Sequence, residues 1–354
     1  MASERAAGMK FGIFDHLDRG AGSLQALYED RLTLAEAYDH AGFHAYHLAE
    51  HHATPLGCAP SPSVFLAALA QRTRKLRFGP LVYILPLYPP LRLIDEICML
   101  DQMSGGRLEL GVGRGISPIE VGFSNLDTAI AQTMYTEALE ILLQGLATRV
   151  LNFQGKHYKF RDVPIVLEPV QTPHPPLWCG IGRPDGVPWA ARNAVNVVGN
   201  LPAAPMRAIT DRYRAEWMAL GHSEQNLPLM GVTRHIVIAE TEREALDIAR
   251  PAYNKWRDDF LLLWQRHHVR LPNPAAIPAD DFDAAERSGR AVAGTSAKVA
   301  DILRLDITEA GVNYLLCRFC FGDINRDAAL QSVQLFARDI MPAFAPGLPD
   351  KAPA

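Results

Sequence analysis

The amino-acid sequence predicts an α/β fold in which a parallel sheet is covered by helices, arranged as one barrel with insertions. Strand and helix patterns alternate along nearly the whole chain, as they do in successive βα units. Eight candidate strands can be counted, and 354 residues suffice for one barrel of about 250 residues together with insertions. We therefore expect a single domain over residues 9–346.

Four strands and three helices are predicted in the first third of the chain. Apolar runs of strand length lie at 10–14, 45–49, 76–85 and 107–113. Apolar residues at helical spacing fill the intervals between them at 25–41, 61–73 and 91–103. Gly42 is suited to end the first helix, and Pro62 suits the first turn of the second. The run at 76–85 is nearly continuous, which is typical of a strand buried on both faces.

The alternation is interrupted once and then resumes. Met134, Ala138 and Leu142 mark a fourth helix, and the turn-rich, proline-rich segment near 150–176 then predicts a small β excursion outside the barrel. Further strands are predicted at 177–180, 195–198, 232–239 and 312–317, with helices at 187–193, 207–220, 242–266, 296–310 and 326–344. The polar stretch near 267–295 is long for an ordered loop, so we expect either a lid over the site or a disordered surface excursion.

Composition excludes several classes of function. Hydrophobic residues make up 48% of the chain and charged residues 21%, with a net charge of −4, which is typical of a globular protein without a basic surface for nucleic acid. The first ten residues do not resemble a secretory signal and no apolar run would span a bilayer, so we expect a cytoplasmic protein. Cys317 and Cys320 have the spacing of a metal-binding pair, but no second pair completes the ligand set, so no metal is expected.

Two motifs place polar side chains at the ends of different strands. Glu50-His51-His52 directly follows the strand at 45–49, and the strand at 107–113 runs into Arg114. Because the carboxyl ends of barrel strands meet at the edge where barrel enzymes carry out their chemistry, the two motifs together predict an active site. Histidine titrates near neutrality and arginine matches the geometry of a phosphate, so these residue types suit proton transfer and phosphate binding.

Together with Leu85-Pro86, the segment 100–107 and looser agreement over 180–189, these motifs resemble those of the luciferase-like flavin-dependent monooxygenases, typified by the bacterial luciferase alpha subunit. The resemblance spans most of the chain. It implies a (β/α)8 TIM barrel that binds flavin at the carboxyl ends of its strands, often as a homodimer. It also implies FMN, supplied in reduced form by a separate flavin reductase, with dioxygen as the second substrate.

The resemblance assigns roles to individual residues. His51 is similar to the family's active-site histidine, and Arg114 is similar to the arginine that meets the flavin phosphate. Leu81-Val82 lies where the family has a non-prolyl cis peptide beside the isoalloxazine ring. The family's phosphate-binding turn, at the start of a helix that offers N–H groups to an anion, corresponds here to Gly182, Arg183 and Gly186.

The neighbours of His51 and several aromatic residues are further candidates. Glu50 is expected either to orient the imidazole or to form a salt bridge below the site, and His52 is included with it as a candidate catalytic residue. An apolar substrate pocket above the flavin is expected to use the aromatic side chains of Phe14, Tyr83, Tyr135 and Phe319.

Two positions depart from the bacterial luciferase pattern. Gly113 stands where that protein has a reactive thiol, and the phosphate-binding turn runs Gly-Arg-Pro-Asp-Gly in place of a segment that contains Glu-Ser. Light emission is therefore not implied by the resemblance.

The prediction is an FMN-dependent two-component monooxygenase that inserts one oxygen atom into a small apolar organic substrate, at an aldehyde, a ketone or another carbon or sulfur centre. Two alternatives stay open. One is a deazaflavin-dependent oxidoreductase of the same fold, which transfers hydride and does not activate dioxygen. The other is a non-catalytic flavin-binding protein, against which the retention of His51 argues.

Overall fold

The computed structural model describes residues 8–271 and 273–344. The predicted end of the domain at residue 346 and most of the amino-terminal segment that was compared with a secretory signal lie outside these residues. No helix within the described part of the chain is long and apolar enough to cross a membrane.

The strands alternate with helices along the chain, as predicted. The strands are β1 (Lys10–Asp15), β2 (Ala45–Leu48), β3 (Arg77–Pro80), β4 (Tyr83–Ile84), β5 (Leu110–Gly113), β6 (Val150–Gln154), β7 (Lys159–Pro164), β8 (Leu177–Gly180), β9 (Asn196–Gly199), β10 (Met230–Ile238), β11 (Ala291–Gly294) and β12 (Tyr314–Arg318). The α-helices are α1 (Leu24–Ala41), α2 (Pro62–Arg72), α3 (Pro90–Ser104), α4 (Pro118–Phe123), α5 (Thr128–Ala147), α6 (Val187–Arg192), α7 (Ala203–Ala219), α8 (Glu242–Arg266), α9 (Phe282–Arg287), α10 (Ser296–Ala310) and α11 (Arg326–Leu335).

The parallel strands nearly close into a barrel with eight strand positions. Neighbours follow the order β3, β2, β1, β12, β10, β9, β8, β5, β4. Because β3 and β4 are the two halves of the predicted strand at 76–85, their contacts with β5 complete the circle. Tyr83 pairs with Val112, and a parallel bridge joins Phe78 to Leu108. This arrangement confirms the predicted (β/α)8 barrel, with the main apolar core between the strands and the surrounding helices.

The strand predicted to be continuous at 76–85 is interrupted. The peptide bond between Leu81 and Val82 is cis, as the resemblance implied, and it separates β3 from β4.

Just before this break, the main chains of β3 and of the segment that leads into β5 lie very close together. A Cβ atom on Gly79 would lie 1.8 Å from the Glu109 carbonyl oxygen, and one on Gly111 would lie 2.0 Å from the Pro80 carbonyl oxygen. This closing seam, defined by Gly79 and Gly111, therefore admits no side chain.

Helix ends follow the local sequence signals. The Ser23 hydroxyl accepts a hydrogen bond from the Ala26 N–H at the start of α1, and Gly42 ends that helix in the left-handed conformation with φ of 82°. Thr241 and Thr295 cap α8 and α10 in the same way as Ser23, and both helices have the predicted bounds. Residues 326–344 are α-helical only to Leu335, after which a π-helical turn and a 3-10 turn follow.

The insertions are more ordered than predicted. The β excursion near 150–176 contains the antiparallel hairpin of β6 and β7. The stretch near 267–295 is not one long loop, because it contains α9 and β11, and β11 pairs in parallel with the second half of β10. Among the described residues of this stretch, 267–271 and 273–281 contain no helix longer than one 3-10 turn, so the predicted lid is narrowed to this part.

Candidate active site

His51 lies just beyond the carboxyl end of β2 and forms a pair with Glu120. The His51 Nδ1 atom is 3.2 Å from Glu120 Oε1, and the second carboxylate oxygen accepts a hydrogen bond from the His52 N–H at 2.7 Å. The side chains are 13% and 5% exposed, so both lie largely out of water. This contact joins the loop after β2 to the segment after β5.

Glu120 is positioned by the short helix α4. The hydroxyl of Ser117 accepts a hydrogen bond from the Glu120 N–H at 3.2 Å, and Pro118 occupies the first turn. Ser117 and Glu120 thus have the spacing of a capping box, but the carboxylate turns to the histidine loop. Burial raises the pKa of Glu120, yet the His51 ring and the His52 N–H outweigh burial and leave that pKa below its ordinary value. A carboxylate that stays ionised favours a proton on His51 Nδ1.

Glu50 forms hydrogen bonds with His52 and with the chain after the cis peptide, and not with His51. Its buried carboxylate is 2.9 Å from His52 Nε2 and accepts hydrogen bonds from the Ile84 N–H at 3.0 Å and the Tyr88 hydroxyl at 2.9 Å. The hydrogen bond to Glu50 raises the pKa of His52 above its ordinary value. Of the two predicted roles, the contacts match a salt bridge below the site.

The residues that the sequence predicts for phosphate binding meet at one edge of the barrel. β5 and β8 are neighbours with Gly111 opposite Trp178, so Arg114 and the turn at 182–186 follow adjacent strand ends. Arg114 is exposed and donates a hydrogen bond to the neutral side chain of Gln132 at 2.9 Å. No carboxylate within the described ranges forms an ion pair with it, and this donor fits a phosphate group.

The turn at 182–186 is less suited to bind a phosphate than Arg114 is. Gly182 and Gly186 are exposed, and the exposed guanidinium of Arg183 is paired with the carboxylate of Asp185. Part of the positive charge predicted for this turn is therefore already compensated. The cis peptide at Leu81-Val82 borders the barrel interior, where Leu81 is buried and Val82 is partly buried against the same apolar cluster.

The predicted pocket aromatics separate into two groups. Phe14 faces the barrel interior with its ring centroid 5.0 Å from that of His16, and Tyr135 on α5 is half-buried. Tyr83 and Phe319 are corrections. Tyr83 is fully buried against α2, with its hydroxyl 2.8 Å from that of Ser63, and Phe319 is buried against the ring of Phe336. Because both rings lie in the core on the helix side of the barrel, neither lines the pocket.

Several polar side chains inside the barrel mouth were not singled out by the sequence analysis. His16 lies at the end of β1 with its ring 5.6 Å from that of His51, and Trp256 on α8 lies 6.3 Å from His16. Arg318 and His235 lie opposite each other on β12 and β10. Alternating positions on these strands face inward, but the sequence does not indicate which alternate set does so. Within the described residues, no group of His, Cys, Asp or Glu could hold a metal ion.

A (β/α)8 barrel with a buried histidine and carboxylate pair at its carboxyl-terminal mouth has the architecture of a barrel enzyme. A family model described as luciferase-like monooxygenase matches residues 9–314. The chain therefore belongs to the luciferase-like monooxygenase family, which confirms the resemblance and the prediction of a flavin-dependent monooxygenase enzyme.

Proteins related in sequence align with between half and nearly all of the chain. An uncharacterized protein y4wF of Sinorhizobium fredii is 45% identical over 333 residues, which cover 94% of this chain and 96% of that protein. The 4-hydroxyprotoasukamycin monooxygenase of Streptomyces nodosus is 28% identical over 90% of this chain and 87% of its own. The oxygenase component of the flavin-dependent trigonelline monooxygenase of Acinetobacter baylyi is 29% identical over 53% of each chain.

Solved structures share the fold over nearly the full length. The monooxygenase RslO1 of Streptomyces bottropensis has a TM-score of 0.80 at 25% identity and covers 95% of this chain and 100% of its own. The oxygenating constituent of the 3,6-diketocamphane monooxygenase of Pseudomonas putida, in complex with FMN, has a TM-score of 0.75 at 18% identity, with coverage of 95% and 99%. A coenzyme F420 dependent tetrahydromethanopterin reductase of Methanopyrus kandleri has a TM-score of 0.71 at 18% identity, with coverage of 96% and 100%.

Proposed function

We propose that this protein is the oxygenase component of a two-component system. It receives reduced FMN from a separate flavin reductase and uses dioxygen to insert one oxygen atom into a small organic substrate. The observation that carries the proposal is the His51–Glu120 pair at the mouth of a luciferase-like barrel. The trigonelline relative is named as an oxygenase component, which supports a separate reductase for this protein as well.

FMN would be held at the edge formed by β4, β5 and β8. Arg114 is the proposed phosphate ligand because it is exposed and has no acidic partner within the described residues. The backbone of the turn at Gly182 to Gly186 supplies further N–H groups beside it. Leu81 and Val82 would contact the ring system from the barrel interior. The bound reduced flavin supplies the electrons that activate dioxygen.

His51 would manage the proton. The Glu120 carboxylate holds a proton on His51 Nδ1, which leaves Nε2 able to accept one or, when the ring is protonated, to donate one. The apolar side chains of Leu56, Phe260 and Leu263 line a small cavity next to this pair. Such surroundings limit the access of water to the reacting groups.

The experiment that tests this function is anaerobic mixing of the protein with reduced FMN, followed by air-saturated buffer and rapid-scan absorbance. We expect an absorbing species that precedes oxidised FMN and lives longer than in free solution. In His51→Ala the FMN affinity should be unchanged while substrate turnover is lost. Unchanged turnover in that variant would exclude the proposed role of His51.

The deazaflavin-dependent oxidoreductase is the second candidate function. An acid and base pair such as His51–Glu120 also suits hydride transfer, and the F420 dependent reductase shares the fold. Parallel titration with FMN and a deazaflavin cofactor distinguishes the two. Tight binding of the deazaflavin alone, with no oxygen-dependent transient, would favour this candidate. A non-catalytic flavin-binding protein is disfavoured by the hydrogen-bonded His51–Glu120 pair.

A homodimer is part of the proposal. Val64 on α2 and Met99 and Met103 on α3 are 73%, 52% and 48% exposed, and these two helices pack side by side. Exposed apolar side chains on adjacent helices would be covered by a second copy. Light scattering should therefore report a dimer, and Met99→Glu should shift it toward monomer.

A further inference from the structure

Arg318 is a buried cation inside the barrel mouth with few and weak protein partners. Its guanidinium donates to the Thr233 hydroxyl at 3.3 Å and lies 3.4 Å from His235 Nε2, both near the long limit for hydrogen bonds. Its Nε atom has no hydrogen-bond partner, and the residue is 4% exposed. Neither partner supplies a negative charge, since one is a hydroxyl and the other an imidazole, and burial lowers the pKa of His235 well below its ordinary value.

No carboxylate of the described residues lies within ion-pair distance of Arg318. Asp18 is the acidic group that acts on it electrostatically, but no hydrogen bond joins the two. Both carboxyl oxygens of Asp18 are buried without a hydrogen-bond partner, and burial raises its pKa well above the ordinary value. Asp18 forms neither a hydrogen bond nor an ion pair with Arg318, so no acidic side chain of the described residues compensates the guanidinium through a direct contact. A buried charge in this condition is costly for a protein that has no ligand to compensate it.

The cation is close to the proposed reaction centre. The Arg318 guanidinium lies 4.7 Å from the centroid of the Phe14 ring and 5.5 Å from that of Trp256. Phe14 in turn contacts the ring of His16, which lies 5.6 Å from the ring of His51. Two rings, those of Phe14 and His16, thus connect Arg318 to His51, and the guanidinium lies against the rings of Phe14 and Trp256. Thr233 is held by the Asn200 amide oxygen at 2.9 Å, so the polar partner of Arg318 is itself fixed.

We propose that Arg318, oriented by Thr233 and His235, binds an oxyanion of the substrate, so that the substrate class is small organic acids with a carboxylate or an equivalent anionic group. This inference rests on the proposed function, because it names the substrate class of that site. It narrows the expectation of a small apolar substrate to one with an apolar body and an anionic end. Reduced FMN can also carry a negative charge, so it is the alternative anion for Arg318 to bind.

The test is calorimetric binding to the protein without flavin or dioxygen, using benzoate and hexanoate against their neutral partners benzamide and hexanamide. We expect the carboxylates to bind better than the amides. Arg318→Gln should lower the affinity for the carboxylates by about 10- to 100-fold, the range for hydrogen bonds to a charged group, and so remove the preference. Arg318→Lys should retain part of it, and Arg266→Gln, which changes an exposed arginine on α8, should retain all of it.

Two further readouts separate a binding role from a structural one. The midpoint of thermal unfolding of Arg318→Gln without ligand should not be lower than that of the parent, since an uncompensated buried charge is removed. The affinity for reduced FMN, measured anaerobically, should be unchanged. Three outcomes would overturn the proposal. The parent could bind acids and amides equally, Arg318→Gln could keep the parent's preference for acids, or Arg318→Gln could lose affinity for reduced FMN alone. Because binding needs no turnover, these outcomes are independent of the oxygenation experiment.

Discussion

The Glu120 carboxylate binds two consecutive residues of the loop after β2, with one oxygen 3.2 Å from His51 Nδ1 and the other accepting from the His52 N–H. His51 and Glu120 are 69 positions apart in the chain. The orientation of the His51 ring therefore depends on α4, a six-residue helix that follows a different strand. Any change that displaces α4 should reach the proposed proton step.

Glu120→Gln should lower kcat by about 10- to 100-fold, as expected for the loss of a partner that orients a functional histidine. Glu120 is a positioning residue, because it acts through His51. FMN affinity should stay unchanged, because Glu120 contacts the histidine loop and only the orientation of His51 is lost. Glu140→Gln on the exposed face of α5 is the matched control. A Glu120→Gln variant with the parent's kcat, or with an equal loss of FMN affinity, would exclude this role.

Arg114→Gln should weaken FMN binding and leave riboflavin binding unchanged, because only FMN carries the phosphate. The expected loss is about 10- to 100-fold in affinity, the range for charge-assisted hydrogen bonds. Fluorescence titration with both flavins measures the difference. Arg192→Gln, at the end of α6, serves as the control for a general change in surface charge. Equal losses for FMN and riboflavin would contradict the phosphate role.

Gly113→Cys, which restores the thiol of bacterial luciferase, should destabilise this protein. A Cβ atom at Gly113 would lie 2.6 Å from Val82 Cγ2, so the chain next to the cis peptide must move. We expect a loss of about 1–3 kcal/mol in the free energy of unfolding, the range for overpacked positions. Gly122→Ala is the control, since a Cβ there meets nothing within 4 Å and favours the helix. Denaturant unfolding that gives both variants the same stability would contradict this account.

The free energy of unfolding should decrease as the pH is lowered below about 6.5. Burial lowers the pKa of His47 to about 3, so the unfolded chain takes up this proton before the folded one. Because the folded pKa is depressed, stability is complete above the unfolded value of about 6.5 and is lost between there and about 3, at up to about 1.4 kcal/mol per pH unit. His47→Gln should show a shallower decline in urea unfolding, and substitution of the half-buried His157 by Gln should not. Equal slopes would contradict the assignment.

The lid predicted at 267–295 is now confined to residues 267–281, where it should gain protection from proteases when FMN is bound. Val269 and Leu271 pack against Trp264 at the end of α8, and a Cβ on Gly182 would lie 2.9 Å from Asn273 Nδ2. The segment thus contacts both the helix above His51 and the phosphate-binding turn. Limited proteolysis with and without FMN measures the protection, and identical cutting would exclude a lid.

The sequence predicts the fold well where local signals and periodicity agree. α8 and α10 begin after capping threonines and repeat apolar residues at helical spacing, so their predicted bounds coincide with the observed ones. β11 was missed because four apolar residues after a polar stretch carry no periodicity. The interruption at Leu81-Val82 followed from the resemblance and not from the residues themselves.

The candidate site, like the fold, is predictable from the sequence only where a local signal is present. His51 and Arg114 belong to recognisable motifs at strand ends, although their roles stay predictions. Glu120 could have been found, since Ser117 and Glu120 form a capping-box pattern, but the sequence does not reveal that its carboxylate turns to another loop. Arg318 and His235 lie within apolar strand sequences, and only the barrel register brings them together.

The closing seam at Gly79 and Gly111 gives the two walls of the barrel different capacities for change. At the seam the main chains are in contact, so a side chain added at either glycine disturbs closure before it can alter what the site accepts. The opposite wall, from β10 and β12 to α8, presents side chains such as Thr233 and Arg318 to the barrel mouth. Changes in substrate preference are therefore expected on the β10 and β12 side, while the main chain at the seam constrains the side proposed for FMN.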